Sequence, residues 1–220
     1  MTKTLIEWEE IILPFFMERW KNTISDIVFS DFIVSTEFNI PNDVIRKEVE
    51  ELEKEYPSPL RTNIGGSQTS PIDTSSPLIG DITKKYPALS DLNDFIMEFS
   101  TLTIQSNGIC TAMDTVRRSN WWVNRNPIHG YNCIHEHGRT DLIGIYYVKS
   151  TPESGTLTVV RNDGSSYTEL YKGNSDDFKR SFTVPCIEGK FFLFPGHLWH
   201  YVTEHLGGED RISISYNLYL

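Results

Sequence analysis

The sequence has few cysteines, no long apolar run and a shortage of positive charge. Its three cysteines, Cys110, Cys133 and Cys186, are an odd number without a CxxC pair. This pattern excludes a disulfide-stabilised scaffold and fits reduced thiols. No apolar stretch reaches membrane-spanning length, and the first residues lack the basic-then-apolar pattern of a secretion signal. These absences predict a soluble, cytoplasmic protein.

The shortage of positive charge also restricts the partners. Lys and Arg number 20 against 30 Asp and Glu, which gives a net charge of −10. A nucleic-acid-binding protein needs a basic face for phosphate contacts, so that class is disfavoured. Aromatic residues, in contrast, are plentiful, with 12 Phe, 5 Trp and 10 Tyr. A chain of 220 residues with this much core material predicts one packed domain over residues 1–220.

The first half is predicted to contain helices and one long polar loop. Apolar residues at helical spacing, β-branched runs and turn residues give these elements in order: a helix over Leu5–Trp20, strands within Ile27–Phe38, a helix from Pro41 to about Glu55, a loop over Tyr56–Pro77, and a helix over Leu89–Ile104 with Ser90 as its N-cap. Residues 1–115 are therefore expected to form a helical support and loop region.

The second half is predicted to be all β. Short strands alternate with Gly, Asn, Pro and Asp turns, a pattern typical of a sandwich or barrel. The strands are expected over Asn120–Asn124, Tyr131–His137, Leu142–Lys149, Gly155–Arg161, Ser166–Tyr171, Phe182–Ile187, Lys190–Phe194, Trp199–Thr203 and Arg211–Tyr219. Residues 116–220 are thus expected to be the core, a mainly β domain with helices packed outside it.

Two histidines in the strand Tyr131–His137 suggest a metal site. Alternation puts Tyr131, Cys133, His135 and His137 on one face. Neighbouring imidazoles on one face start about 7 Å apart at the backbone, close enough to share one metal ion. A third ligand must come from elsewhere, and His200 is the best candidate.

The last strand carries a polar face that points to a cosubstrate. Arg211, Ser213, Ser215 and Asn217 alternate with apolar residues, so this face lines either solvent at a sheet edge or a polar pocket. Arg211 is suited to a charge-assisted fork with a carboxylate, and Ser213 can donate a further hydrogen bond. A metal with three protein ligands leaves room for a bidentate dicarboxylate and dioxygen.

At this point the sequence resembles the iron(II)- and 2-oxoglutarate-dependent dioxygenases of prolyl-hydroxylase type, within them a bacterial and phage group without an assigned substrate. The resemblance covers about Arg61 to Asn217. Its motifs are Trp122-Val-Asn124, His135-Glu-His137, Gly144-Ile-Tyr146-Tyr147, Phe194-Pro195 before His200, Arg211-Ile-Ser-Ile-Ser-Tyr-Asn217, and the loop segments Asn63-Ile-Gly-Gly66 and Gln68-Thr-Ser70.

The resemblance implies a double-stranded β-helix, or jelly roll, that acts as a hydroxylase. It implies Fe(II), 2-oxoglutarate and O2 as cofactors and cosubstrates, with ascorbate as a reductant, and a small-molecule or peptidyl substrate. By position, the implied catalytic and cofactor-binding residues are His135, His137 and His200 on iron, Arg211 with Ser213 and Tyr147 on the distal carboxylate, and Asn124 and Asn217 nearby.

The second metal ligand and the activity each have alternatives. The wider superfamily usually has Asp or Glu where this chain has His137, so Glu136 or Asp141 could complete the site instead. The function alternatives are a cupin-like metal-binding module without oxygenase activity and a structural phage jelly roll with a vestigial site.

Overall fold

The computed structural model describes residues 24–28, 31–38, 41–58, 62–76, 79–111, 113–161 and 181–220. The predicted helix Leu5–Trp20 and the predicted strand Ser166–Tyr171 lie outside these residues. No helix within the described ranges is long and apolar enough to cross a membrane.

The helices pack by single apolar stripes. Helix α1 is Asn42–Glu55, α2 is Ile79–Lys85 and α3 is Pro87–Ser106. On α1, three apolar residues at helical spacing are fully buried, and these are Ile45, Val49 and Leu52. The sequence predicted both long helices, with α3 extending two residues further at each end.

The strands follow the predicted order closely in the second half. Their bounds are β1 Ile24–Val28, β2 Asp31–Glu37, β3 Pro57–Ser58, β4 Asn63–Ile64, β5 Ser67–Thr69, β6 Ile72–Asp73, β7 Arg118–Asn126, β8 Tyr131–His135, β9 Leu142–Lys149, β10 Thr156–Val160, β11 Ser181–Pro185, β12 Lys190–Pro195, β13 Trp199–Val202 and β14 Arg211–Tyr219.

The strands form two antiparallel sheets. Among the described residues, the larger sheet has nine strands in the order β1-β2-β12-β9-β14-β7-β5-β3, with β6 also on β7. The smaller sheet has five, in the order β11-β10-β13-β8-β4. From β7 to β14 the chain alternates between the sheets, except that β10 and β11 are a hairpin in the smaller sheet, and this is the jelly-roll arrangement predicted from the sequence.

Two apolar clusters divide the interior. One lies between the larger sheet and the helices, and it includes Ile212, Ile214, Tyr216 and Leu218 from one face of β14. The other lies between the two sheets. Strand β9 contributes to both, which explains its unbroken apolar sequence, because both of its faces are covered.

Strand β14 is a central strand, not a solvated edge. It pairs with β7 on one side and β9 on the other. Its polar residues Arg211, Ser213 and Ser215 are buried on the face opposite the apolar residues. The alternation predicted from the sequence is correct, and the polar face lines the space between the sheets.

The segment predicted as a loop, Tyr56–Pro77, is more ordered than expected. It contains β3 to β6 and joins both sheets. The Asn63 side chain is buried, donates 2.7 Å to the Ser67 carbonyl and accepts 2.8 Å from the Asn126 amide. A Cβ on Gly66 would lie 2.1 Å from the Arg125 carbonyl oxygen, so this turn requires glycine. Residues before 116 thus supply strands as well as helices, and the division at 116 stays a prediction.

The predicted N-cap of α3 is wrong. The helix begins at Pro87 with Tyr86 in the N-cap position, and Ser90 lies inside it. Proline is favoured at the first helical position because it lacks a backbone N–H. The Glu48 carboxylate of α1 accepts the backbone N–H groups of Ala88 and Leu89 at 3.1 and 2.8 Å. A cap supplied by another helix leaves no local signal in the sequence.

Candidate metal centre

Three histidine rings meet at one end of the space between the sheets. His135 is the last residue of β8 and is directly paired with His200 of β13. His137 follows two residues after the strand ends. One ring nitrogen of each histidine lies within 4.8 Å of the other two. The structure therefore brings together the three histidines that the sequence singled out.

Hydrogen bonds orient two of these rings. The Nδ1 atom of His135 lies 2.7 Å from the Cys133 carbonyl oxygen, and that of His137 lies 2.5 Å from Asn217 Oδ1. Carbonyl oxygens only accept, so the Nδ1 atoms carry the protons and both Nε2 atoms present lone pairs. Partners of this kind fix the tautomer of metal-binding histidines.

The spacing of the Nε2 atoms suits a divalent cation. The Nε2 atoms of His135 and His137 are 3.1 Å apart. For a metal about 2.1 Å from each nitrogen, the nitrogen–metal–nitrogen angle would be about 95°, close to the right angle of octahedral coordination. Two facing lone pairs repel each other, and a bound cation removes that repulsion.

Burial keeps the three rings neutral. It lowers the pKa of His137 to about 4 and that of His200 well below the usual value, with the neighbouring histidines lowering both further. The pKa of His135 is lowered by burial as well. Neutral imidazole is the form that binds a metal. The donor set thus fits a first-row divalent ion at neutral pH.

The carboxylates considered as alternatives point elsewhere. Glu136 is exposed and accepts the Gly138 backbone N–H at 2.6 Å. Asp141 is exposed and accepts the Leu220 backbone N–H at 3.0 Å. Within the described ranges, the three histidines are the group positioned to hold a metal. A divalent ion on three neutral ligands keeps its two positive charges and favours an anionic partner.

One face assignment in β8 is wrong. Strict alternation predicted Tyr131 on the histidine face, but Tyr131 is exposed and Asn132 is buried. The register explains this, because His135 pairs with His200 while Asn132 pairs with Val202. Two residues of β8, Cys133 and Ile134, thus lie opposite one residue of β13, Tyr201, which is a β-bulge, and both Asn132 and His135 face inward.

Arg211 is a buried cation without a described carboxylate partner. Only 1% of its surface is exposed. Its guanidinium donates 2.6 Å to the Ser154 carbonyl and 2.9 Å to the Thr203 carbonyl, and lies 3.4 Å from Asn132 Oδ1. A buried charge is costly unless it is paired. An anion bound in this corner of the barrel would therefore pair with the Arg211 charge.

A pocket connects the histidines with the polar face of β14. Its wall includes His135, His200, Ser213, Ser215 and Asn124. Asn124 donates 3.0 Å to the Ser215 hydroxyl, and its buried Oδ1 has no hydrogen-bond partner among the described residues. Asn217, by contrast, is used to hold the His137 ring.

Tyr147 lies beside Arg211 on the neighbouring strand. It is paired with Ser213 across the ladder and is fully buried. Its hydroxyl has no hydrogen-bond partner of good geometry in the described structure. Burial and the nearby Cys186 raise its pKa well above the usual value, so the hydroxyl keeps its proton. Tyr147 is thus a buried, protonated hydroxyl close to the Arg211 guanidinium.

The other histidines do not join the site. His129 lies 2.6 Å from Glu204 and His197 lies 2.9 Å from Asp31. His205 is fully buried, and its Nε2 lies 2.6 Å from the Glu209 carbonyl oxygen.

Asn132, which lines the pocket, was not identified from the sequence, because it reaches the interior through the bulge. Trp122, which was named only as part of a family motif, lies beside the metal site, with its ring centroid 5.4 Å from that of His137.

Comparisons with known proteins concern the domain that carries this site. Residues 120–217, somewhat under half of the chain, match a family model described as "Putative 2OG-Fe(II) oxygenase". No curated protein matches the chain.

Solved structures share the fold at low identity. A prolyl-4-hydroxylase from Pseudomonas putida is 12% identical with a TM-score of 0.54, covering 92% of this chain and 94% of its own. A prolyl hydroxylase from Trichoplax adhaerens, in complex with a hypoxia inducible factor peptide fragment, is 14% identical with a TM-score of 0.54, covering 81% and 77%. A 2OG-Fe(II) oxygenase family oxidoreductase from Burkholderia pseudomallei is 12% identical with a TM-score of 0.53, covering 91% and 85%.

These matches confirm the fold predicted from the sequence, and the family-model match over residues 120–217 supports the predicted class, a 2OG-Fe(II) oxygenase. Its double-stranded β-helix is that of the prolyl 4-hydroxylases. Iron(II) and 2-oxoglutarate are the cofactor and cosubstrate that the family implies.

Proposed function

We propose that the protein hydroxylates a C–H bond of a small-molecule or peptidyl substrate and converts 2-oxoglutarate to succinate and CO2. The observation that carries this proposal is the pairing of two features in one barrel. Three neutral imidazoles converge near the mouth, and the buried, unpaired guanidinium of Arg211 lies further in.

In this proposal His135, His137 and His200 hold the iron. Bound iron supplies the oxidative chemistry, in which one oxygen atom of O2 goes to succinate and the other to the substrate. The chain's part is to position the reactants and exclude water. Asn217 keeps the proton on His137 Nδ1, so that Nε2 stays a ligand.

The distal carboxylate of 2-oxoglutarate is assigned to Arg211, with Ser213 and Tyr147 as further donors. Arg211 is already fixed by two backbone carbonyls, so little side-chain freedom is lost on binding. Asn124 lines the pocket together with Ser213, and its side-chain oxygen, which has no partner among the described residues, can accept from a donor or a water molecule.

The three-histidine ligand set distinguishes this site from the usual pair of histidines and a carboxylate. With no carboxylate on the metal, the bound ion keeps more positive charge and attracts the anionic cosubstrate more strongly. A peptidyl or amino-acid side chain is our candidate substrate. The peptide-bound prolyl hydroxylase from Trichoplax adhaerens, which shares the fold, supports that choice by analogy.

Succinate formation tests the proposal. Purified protein is loaded with Fe(II), and 2-oxoglutarate binding is measured anaerobically before succinate is measured in air with ascorbate. We expect saturable binding and slow substrate-free turnover. A protein that binds iron but neither binds nor consumes 2-oxoglutarate would instead be a metal-binding module.

An arginine variant locates the carboxylate. Arg211→Ala should abolish 2-oxoglutarate affinity while iron affinity is kept, because Arg211 contacts none of the three histidines in the structure. Retained iron binding also reports that the variant is folded. Arg117→Ala, at an exposed arginine before β7, serves as the control. Equal 2-oxoglutarate binding by both variants would contradict the assignment.

A further inference from the structure

A second pocket lies on the side of the larger sheet that faces the helices. It has a volume of about 250 Å³ and is lined by residues of α2, α3 and β7. Trp121 of β7 forms part of its wall, whereas the next residue, Trp122, lines the pocket beside the histidines. Adjacent residues of a strand point to opposite faces of a sheet. The larger sheet therefore separates this second pocket from the metal centre.

Five large apolar side chains line the second pocket. They belong to the cluster between the larger sheet and the helices or pack against it, and they are Ile79, Ile82, Tyr86, Met97 and Trp121. In another protein, an engineered apolar cavity of about 150 Å³ binds benzene. The second pocket is therefore large enough for one ring with a small substituent.

Three polar side chains of the wall already have hydrogen-bond partners. The Thr74 hydroxyl donates 3.0 Å to the Ser119 carbonyl, and the Thr83 hydroxyl donates 3.1 Å to the Gly80 carbonyl. The buried Asn93 side chain accepts 2.5 Å from the Ser119 hydroxyl. These groups do not need a ligand to satisfy them.

Two buried donors in the wall have no hydrogen-bond partner of good geometry among the described residues. They are the Tyr86 hydroxyl and the indole Nε1 of Trp121, and both residues are almost fully buried. A hydroxyl can rotate its proton towards another acceptor, whereas an indole N–H is a donor only and its direction is fixed by the ring. Trp121 is therefore the residue that most needs an acceptor.

The charges around the pocket disfavour a charged ligand. Asp94 and Arg117 are the charged residues among the described lining residues, and both are exposed. Their charges are of opposite sign. A charged group that entered the pocket would lose water without gaining a buried counter-charge, which is costly. An uncharged ligand avoids this cost.

We propose that the second pocket binds a small uncharged carbonyl compound with an apolar body. Its carbonyl oxygen accepts a hydrogen bond from the Trp121 indole N–H, and its apolar body packs against Ile82, Tyr86 and Met97. This site is separate from the metal centre, so the inference does not depend on the proposed function.

Three probes of similar shape test the chemistry of this site. Acetophenone has an aromatic ring and a carbonyl group. Isopropenylbenzene has the same shape but carries a CH2 group in place of the carbonyl oxygen. Benzoate keeps the ring and offers oxygen acceptors, but it is negatively charged at neutral pH. Each probe is titrated into the full chain loaded with Zn(II), which has no unpaired electrons to broaden nuclear magnetic resonance signals.

The indole N–H signals of the five tryptophans report where the probes bind. We expect acetophenone to shift the Trp121 signal downfield in a saturable way, because a hydrogen bond forms at that proton. The other four indole signals should move much less. Isopropenylbenzene should bind more weakly and cause no downfield shift, and benzoate should cause no saturable change at the same concentrations.

A matched pair of variants isolates the indole donor. Trp121→Phe keeps an aromatic wall but removes the N–H, and it should weaken acetophenone binding about 2- to 10-fold. Its affinity for isopropenylbenzene should not change. Trp122→Phe, on the opposite face of the same strand, should bind acetophenone as the wild type does. The methyl signal of Met97, which lines the pocket, measures the affinity in all three proteins.

Several results would overturn the inference. They are the absence of a saturable shift at Trp121 with acetophenone, an equal effect of isopropenylbenzene or benzoate, and a shift that appears at Trp122 instead. Equal acetophenone affinities of Trp121→Phe and the wild type would also contradict it. The comparison of the three probes uses the wild type, so it decides the question even if Trp121→Phe does not fold.

Discussion

Acid should destabilise the metal-free protein, because its histidine cluster is buried in neutral form. The pKa of His137 is about 4 in the folded protein, against 6.5 as its ordinary value. The unfolded chain therefore binds more protons than the folded one between these values. Stability is retained above about pH 6.5 and falls as the pH drops towards 4.

The size of the effect follows from the two pKa values. At pH 5 the shift of His137 alone lowers the free energy of unfolding by about 2 kcal/mol relative to neutral pH. The pKa values of His135 and His200 are lowered as well, so they add to the loss. Their contributions are not independent, since protonation of one ring repels protons from the next.

Urea unfolding at pH 7 and pH 5, in the presence of a chelator, measures this loss. We expect the His137→Gln variant to lose clearly less stability than the wild type between the two pH values. His129→Gln, at an exposed histidine, should lose as much as the wild type. The reasoning is refuted if His137→Gln and the wild type have the same pH dependence. Added Fe(II) should protect the wild type at pH 7.

The remaining predictions concern the support of the site. Asn217→Ala removes the acceptor for His137 Nδ1 and should weaken iron binding about 10- to 100-fold in anaerobic titration. Asn217→Asp keeps an acceptor and should bind iron as the wild type does. Equal iron affinities of the two variants would contradict the positioning role of Asn217. Gly196→Ala places a Cβ 1.8 Å from the Thr140 carbonyl oxygen and should lower the melting temperature sharply, whereas Gly208→Ala meets nothing within 4 Å and should be neutral. Equal melting temperatures would contradict that close contact.

The sequence predicted the residues that depend on regular alternation. On β14 the period of two holds along the whole strand, so Arg211, Ser213 and Ser215 were placed correctly on the polar face. The histidines were also found, because a pair two residues apart in a strand is a local pattern. His200, 62 residues further along, was chosen from its place shortly before the last strand, and the family resemblance then supported that choice.

The features that were missed depend on contacts between distant segments. The bulge in β8 comes from how β8 and β13 fit together, and neither strand alone indicates an extra residue. The cap of α3 is a carboxylate from α1. The short strands of residues 57–73 form because Asn63 and Gly66 fit against β7. In each case the feature forms because of a residue on a distant segment, and the local sequence does not show that residue.

The bulge also sets a length. Asn132, whose Oδ1 lies 3.4 Å from Arg211, and His135, in the histidine cluster, are three residues apart on one hydrogen-bonded strand. The backbone pairing of β8 with β13 therefore fixes their separation. In the proposed function, this fixed separation would select the dicarboxylate by its number of carbons, because one carboxylate must reach the metal and the other the guanidinium.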